Sequence, residues 1–173
     1  MKKTLLASAA AALLLLATAA AATAGATLDD VRAATAPFRN FDAAKAAGYD
    51  TKVIDVNGIA CIDDPTGGMG IHYLNPGYLD ADVDASKPEL VIYEPLASGR
   101  MQLVAVEYLV LKSAWRDAHG RERPSLFGQQ FELVKAGNRY GLPAFYELHA
   151  WVWQPNPLGT FNDWNPTVTC EHA

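Results

Sequence analysis

Three side chains of this sequence could act together as metal ligands, because two histidines and one glutamate lie within strand-like segments. His72 follows the glycine-rich run GGMG, and His149 lies in FYELHAWVW. Glu107 lies among hydrophobic residues in LVAVEYLVL, where an ionised carboxylate is costly to bury without a partner. Two imidazoles and a carboxylate suit zinc, copper or iron. The sequence therefore predicts a pocket at His72, Glu107 and His149 that could hold one divalent metal ion, of unknown reaction.

The alternation of side chains along each strand indicates what surrounds these candidates. Both faces of LVAVEYLVL are apolar, so we expect this strand to be covered on both sides. In the late strand, the face of His149 carries acid and large aromatic side chains, which is typical of a pocket wall; a solvated face is the alternative. The residues expected to surround the site are Glu94, Glu147, Tyr73, Trp151 and Trp153.

The glycines ahead of His72 have a structural interpretation. Gly67, Gly68 and Gly70 let the backbone approach a neighbour closely or adopt a positive φ, which would fix a bulge beside the site. Met69 could be a soft copper ligand, but packing is the preferred interpretation. A single histidine in an apolar strand is more often a satisfied core residue, so a structural role for His72 stays open.

Two functions of other classes also stay open. Aromatic side chains near the C-terminal end could line a cavity for a small apolar or carbohydrate ligand, which would make the protein a non-catalytic binding protein. Alternatively, the two histidines and Glu107 pair only with one another inside a structural domain. The serines lack a GxSxG context, so a serine hydrolase has no support, and no catalytic residue is assigned.

The start of the chain is typical of a Sec signal peptide over residues 1–26. Lys2 and Lys3 precede an apolar run, and small residues near 24–26 offer a cleavage site. A membrane anchor is the alternative, because the run nearly reaches the length that spans a bilayer. We expect residues 27–173 to form a single globular domain that is secreted or periplasmic, and its length is typical of one domain.

The net charge excludes one class of partner. The formal charge is −5, and removal of Lys2 and Lys3 with the leader leaves 12 basic against 19 acidic residues, which gives −7. No Lys/Arg cluster offers a surface for phosphate backbones or anionic lipids. We therefore expect no nucleic acid, no membrane association after cleavage, and a small molecule as the partner. The oligomeric state is not predicted.

The chain has two cysteines, Cys61 and Cys170. In an exported chain an even pair predicts a disulfide, here between the end of the chain and the segment before the glycine-rich run. Two thiolate metal ligands are the alternative, but no CxxC spacing supports them.

The order of the elements predicts an α+β fold. Thr27 and Asn40 are suited to cap two short N-terminal helices, LDDVRAAT and FDAAKAA. From Thr51 onward, strand-like segments alternate with short turns, which favours a mostly antiparallel sheet that is strongly curled or barrel-like. Residues 115–124 are predicted to be a surface loop, and AFYELHAWVW the longest late strand.

Several quoted segments resemble those of a family of small exported bacterial proteins without an established activity. The resemblance covers nearly all of the chain after the leader and implies an exported location, but it assigns no catalytic residue. The segments that carry it are FRNFDAAKAAGY, GGMGIHYLNP, PELVIYEP, LVAVEYLV, PSLFGQQF, ELHAWVWQPNPLGTFNDWNP and the final TVTC.

Overall fold

The computed structural model describes residues 25–173. The predicted signal peptide, except for its last two residues, lies outside the described residues and stays a prediction. Within residues 25–173, no helix combines the length and the apolar character that crossing a membrane would require.

The two short N-terminal helices are present and are capped as predicted. The Thr27 side chain accepts a hydrogen bond from the first turn of α1 and forms a capping box there. The Asn40 side chain accepts hydrogen bonds from the amides of Asp42 and Ala43, the second and third residues of α2. The helical elements are α1 (Leu28–Thr35), α2 (Phe41–Ala46), α3 (Lys112–His119) and two 3-10 turns (Ala36–Arg39 and Pro76–Tyr78).

Seven of the nine strands within residues 25–173 form one sheet in which every pairing is antiparallel, as the sequence predicts. The strands are β1 (Thr51–Lys52), β2 (Cys61–Asp64), β3 (Gly67–Leu74), β4 (Leu90–Pro95), β5 (Met101–Leu111), β6 (Ser125–Leu126), β7 (Gln129–Gln130), β8 (Glu132–Val134) and β9 (Phe145–Ala150). Their order in the sheet is β1-β3-β4-β5-β9-β8, with β2 also paired to β3, while β6 and β7 form a separate hairpin.

The expectation of a strongly curled, barrel-like sheet is not supported. The sheet ends with β1 and β2 on one side and with β8 on the other, and no pairing within residues 25–173 joins these edges. The edge strands β1 and β8 contain two and three residues, which is too short a ladder to close the sheet. The fold is therefore an open antiparallel sheet with a few short helices.

The central strands are covered on both faces, as predicted for β5. One face packs against the N-terminal helices in the larger core, which includes Tyr93, Val106 and Tyr108. The opposite face carries two smaller apolar clusters, one around Ile92 and one around Leu109. The three candidate ligands lie on this second face, because His72 pairs with Ile92 and Glu107 shares the parity of Leu109.

The predicted surface loop at residues 115–124 is wrong in its first half, because α3 covers Lys112–His119. The helix continues directly from β5 and has no buried residue. Its sequence is therefore polar and resembles that of a surface loop. Trp115 stacks on His119 with ring centroids 4.1 Å apart and donates a hydrogen bond to the Glu122 carbonyl. These contacts stabilise an exposed helix that carries no candidate ligand.

The predicted disulfide between Cys61 and Cys170 is present. It joins residues 109 positions apart, and closing a loop of that length stabilises the fold by about 4–5 kcal/mol in the chain-entropy model. The segment before Cys170 lies against β3, where Gly68 and Asn165 exchange two backbone hydrogen bonds of 3.0 and 3.1 Å. The disulfide thus holds the C-terminal segment beside the strand that carries His72.

The glycine-rich run forms the predicted bulge. In the pairing of β2 with β3, Ile62 lies opposite Gly70 and Asp63 opposite Gly68, so Met69 is the extra residue. Gly70 has a φ of +92°, and a Cβ there would lie 2.7 Å from the Tyr93 carbonyl oxygen. A Cβ on Gly68 would lie 2.7 Å from the Val168 carbonyl oxygen, so that glycine is needed for the close approach of the C-terminal segment.

We predict that Gly70→Ala lowers the free energy of unfolding by about 2–4 kcal/mol, because it adds both a left-handed alanine and a backbone clash. Gly99→Ala is the matched control, since Gly99 also has a positive φ but has open space where the Cβ would be. The control should lose only about 1–2 kcal/mol. Urea unfolding of both variants measures the difference, and equal losses would contradict the assigned close approach.

Candidate metal centre

The side chains of His72, Glu107 and His149 meet at one point beside the sheet. The Nε2 atoms of the two histidines are 3.2 Å apart. Glu107 Oε2 lies 3.3 Å from His72 Nε2 and 3.9 Å from His149 Nε2. Each residue thus offers one potential ligand atom, and these atoms all lie within 4.8 Å of one another. The exposed fractions of the three residues are only 3%, 4% and 2%, so protein rather than water surrounds the cluster.

Strand register explains why these three residues meet. Glu107 in β5 lies directly opposite His149 in β9, so the two side chains are cross-strand neighbours. His72 lies on β3, two strands from β5, and β4 separates them with Leu90 and Ile92 on the same face. Its imidazole and the Glu107 carboxylate reach across β4 to make contact. A shift of one residue in any of these strands would turn its ligand to the opposite face.

The two histidines have opposite electrostatic environments. Burial lowers the pKa of His72 to about 3, and the neighbouring charge of His149 acts in the same direction. Burial also acts to lower the pKa of His149, but the carboxylates of Glu107, Asp163 and Glu147 outweigh it and raise this pKa to about 9. Without a metal ion, His149 is therefore the charged partner at neutral pH and donates to the neutral His72 across their 3.2 Å contact.

The two glutamates beside the histidines resist ionisation. Burial raises the pKa of Glu107, although the charge of His149 opposes this effect. Burial and the neighbouring Glu107 charge raise the pKa of Glu147 to about 9, so Glu147 is protonated at neutral pH. The positive charge of His149 therefore lies beside Glu107 and Asp163, the two acidic groups that do most to raise its pKa. A metal cation at the same point would bring more positive charge to these acidic side chains.

Asp163 is a site residue that the sequence did not identify. Its Oδ1 atom lies 3.5 Å from His149 Nδ1, and that buried nitrogen has no hydrogen-bond partner among the described residues. Asp163 belongs to the C-terminal segment, whose position depends on the disulfide and on the contact with β3. No local pattern around TFNDWNP reveals this proximity, because it arises only from the tertiary fold.

Of the five residues that the sequence predicted around the site, two lie next to the cluster and three lie elsewhere. Glu147 and Trp151 lie next to the cluster, and the Trp151 ring stacks on His149 with centroids 6.5 Å apart. Tyr73 lies on the opposite face of the sheet and packs edge-on against Phe41 at 4.7 Å. Glu94 accepts a hydrogen bond of 2.9 Å from the Thr169 amide, and so anchors the C-terminal segment away from the ligands.

Trp153 corrects the predicted face of the late strand. The strand β9 ends at Ala150, where Val152 N bonds back to the Ala150 carbonyl and the chain turns. Alternation therefore fails after Trp151, and Trp153 packs against the larger core on the other side of the sheet. Its Nε1 atom donates to Thr35 Oγ1 at 3.0 Å.

Two cavities of about 170 Å³ each are lined in part by residues of the cluster. The first is apolar and contacts His72 and Glu107, while the second is more polar and contacts Glu147 and His149. Tyr140 lines both. Met69 and Trp164 line the second cavity, whereas Trp153 lines a separate cleft with Arg39 and Arg100. The aromatic side chains near the C-terminal end therefore do not line one common cavity, since Trp164 and Trp153 line different ones.

Comparison of the chain with protein-family models, curated proteins and solved structures finds no match in any of the three. The resemblance to a family of small exported bacterial proteins therefore stays a prediction. What the geometry supports plainly is a buried cluster of two histidines and one glutamate that could hold a metal ion.

We predict that the two imidazoles titrate far apart in the metal-free protein. NMR of histidine labelled with ¹⁵N should show His72 neutral from pH 5 to 8, with its pKa near 3, and His149 charged until pH approaches 9. Glu107→Gln should lower the pKa of His149, because it removes the carboxylate charge that does most to raise it. Glu122→Gln, in an exposed loop, is the control. A wild-type His149 that loses its proton below pH 6.5 would contradict the assigned charges.

Proposed function

We propose that the protein is an exported domain that binds one divalent transition-metal ion through His72, Glu107 and His149. The observation that carries the proposal is the convergence of three buried ligand atoms within 4.8 Å of one another. The donor atoms are Nε2 of both histidines and one carboxylate oxygen of Glu107.

The separations between these atoms support a single ion. Two ligand atoms that are each about 2.0–2.1 Å from a tetrahedral zinc ion lie roughly 3.3 Å apart. The observed separations are 3.2, 3.3 and 3.9 Å, so only small side-chain movements are needed. Two of the three separations match this spacing, and the third, 3.9 Å, is longer.

The environment of His149 supports the same proposal. A histidine that binds a metal through Nε2 usually donates its Nδ1 proton to a carboxylate or carbonyl, which fixes the ring and its tautomer. His149 Nδ1 is buried without a hydrogen bond among residues 25–173 and lies 3.5 Å from Asp163 Oδ1. Asp163 is therefore placed to orient the His149 ring and to strengthen its Nε2 atom as a ligand.

Three protein ligands leave coordination positions open. Zinc sites with three protein ligands and one open position are typically catalytic, and two histidines with one carboxylate also bind iron(II) in this way. The apolar cavity contacts His72 and Glu107, which gives a small molecule access to the centre. A bound ion would supply Lewis acidity or an activated water there. The chain itself would hold the ligands, exclude bulk water and keep a proton on Glu147.

The disulfide supports the proposed export. Disulfides persist in oxidising compartments and are rare in the cytosol of mesophiles. The Cys61–Cys170 bond would accordingly suit a secreted or periplasmic protein. The structural alternative, in which the two histidines and Glu107 only pair with one another, also fits the 3.2 Å contact between the imidazoles, and metal analysis separates the two.

We predict about one equivalent of zinc, iron or copper in protein isolated from its exported compartment, because the three ligands form one site. His72→Ala and His149→Ala should each abolish stoichiometric metal, as measured by elemental analysis. His172→Ala is the matched control, since His172 lies in the exposed C-terminal tail. Retention of metal by both ligand variants would refute the site, and metal-free wild-type protein that also fails to take up added zinc would favour structural pairing.

We predict that Asp163→Asn weakens the affinity for metal by about 10–100-fold, because it removes the charge that orients His149. Competition with a chromophoric chelator measures the affinity. Asp117→Asn, on the exposed helix α3, is the control. Equal affinity in the Asp163 variant and wild type would show that the carboxylate does not act on the ligand.

A further inference from the structure

The apolar cavity beside the metal centre runs from the protein surface to the ligands. Its rim includes Leu79 and Leu142, which are 36% and 39% exposed. Its inner wall includes Leu90 and Leu109, which are buried at 3% and 8% exposure. At its inner end it contacts two polar side chains, both of them candidate ligands. The cavity is thus an apolar passage that ends at the proposed metal.

The size of the cavity limits what it can hold. Its volume is about 170 Å³. An engineered cavity of about 150 Å³ lined by Leu, Ile and Phe in another protein stays dry and binds benzene. The present cavity therefore matches a molecule about as large as one six-membered aromatic ring.

The lining limits the chemistry of the occupant. Apart from His72, Glu107 and Tyr140, the side chains that line the cavity are aliphatic or aromatic hydrocarbons. A sugar needs several hydrogen-bond partners, and burying its hydroxyl groups without them is costly. A charged ligand would face the same cost along the aliphatic wall. A molecule with an apolar body and one polar atom at its inner end fits both parts of the cavity.

We propose that this cavity binds a small, mostly apolar molecule of about one aromatic ring, with its single polar atom directed at the metal held by His72, Glu107 and His149. The position of the polar atom rests on the proposed function, whereas the apolar binding does not. The carbohydrate ligand that the sequence left open is not favoured by this lining.

Benzene is the first probe, because it tests the apolar cavity without a metal. In metal-free protein, we expect benzene to shift the methyl NMR signals of Leu74, Leu90 and Leu109 in a saturable way. Leu109→Phe, which fills the inner wall, and Leu142→Trp, which narrows the rim, should each weaken binding at least about tenfold, a loss of about 1.4 kcal/mol. Leu158→Phe is the control, because Leu158 is an exposed leucine outside the cavity.

The absence of saturable shifts in wild-type protein would overturn the proposal. Binding by both cavity variants at wild-type affinity would also overturn it, because benzene would then lie elsewhere. The two variants differ in fold risk, since Leu109 is buried and Leu142 is exposed. An unfolded Leu109 variant would therefore leave the Leu142 variant as the deciding comparison.

Phenol is the second probe, because it adds one hydroxyl group to the same ring. In protein loaded with Co²⁺, we expect phenol to change the visible d–d absorption and benzene to leave its band positions unchanged. Phenol should also bind the loaded protein at least about tenfold more tightly than the metal-free protein. An unchanged spectrum at saturating phenol would overturn the placement of the polar atom.

The outcomes separate this inference from the proposed function. Protein that takes up no metal but still binds benzene would refute the metal centre and retain the apolar site. Protein that binds metal but no benzene would retain the metal centre and refute the apolar site.

Discussion

The structure depends on how it accommodates Glu107, a carboxylate buried at 4% exposure in the middle of the central strand β5. A charge at that depth is costly unless opposite charge and hydrogen bonds surround it. Two histidines on different strands meet its carboxylate within 4 Å. They can balance it with one proton, or with a metal ion that brings more charge and satisfies all three donor atoms together. Both solutions are compatible with the 3.2 Å approach of the two Nε2 atoms.

The C-terminal segment completes this arrangement, and the glycine-rich run makes room for it. Gly68 lets the segment lie directly against β3, and the disulfide to Cys170 keeps it there. Asp163 is carried on that segment to the far side of the His149 ring. Gly70 has a different task, because its positive φ and its contact with Tyr93 form the bulge two residues before His72. The folded structure therefore holds the glycine-rich run in one defined conformation.

The sequence could predict the three residues of the cluster because each one stands out from its local surroundings. Glu107 is an acid in a strand that is apolar on both faces, and His149 alternates with another acid. Alternation then failed where the strand ended, so Trp153 was assigned to the wrong face. Asp163 and the two cavities depend on contacts between distant segments, which no spacing along the chain records. The open edge of the sheet was missed for a similar reason, since short connections predict antiparallel neighbours but not whether the last strand meets the first.

X-ray absorption spectroscopy of the zinc-loaded protein tests the central claim most directly, because it reads the ligands of the metal itself. The account predicts two imidazole nitrogens and at least one oxygen at about 2.0–2.2 Å from the zinc. It also predicts the loss of one imidazole from the spectrum of any zinc that His149→Ala retains. A wild-type spectrum that contains fewer than two imidazoles would contradict it, as would one that is unchanged in the variant.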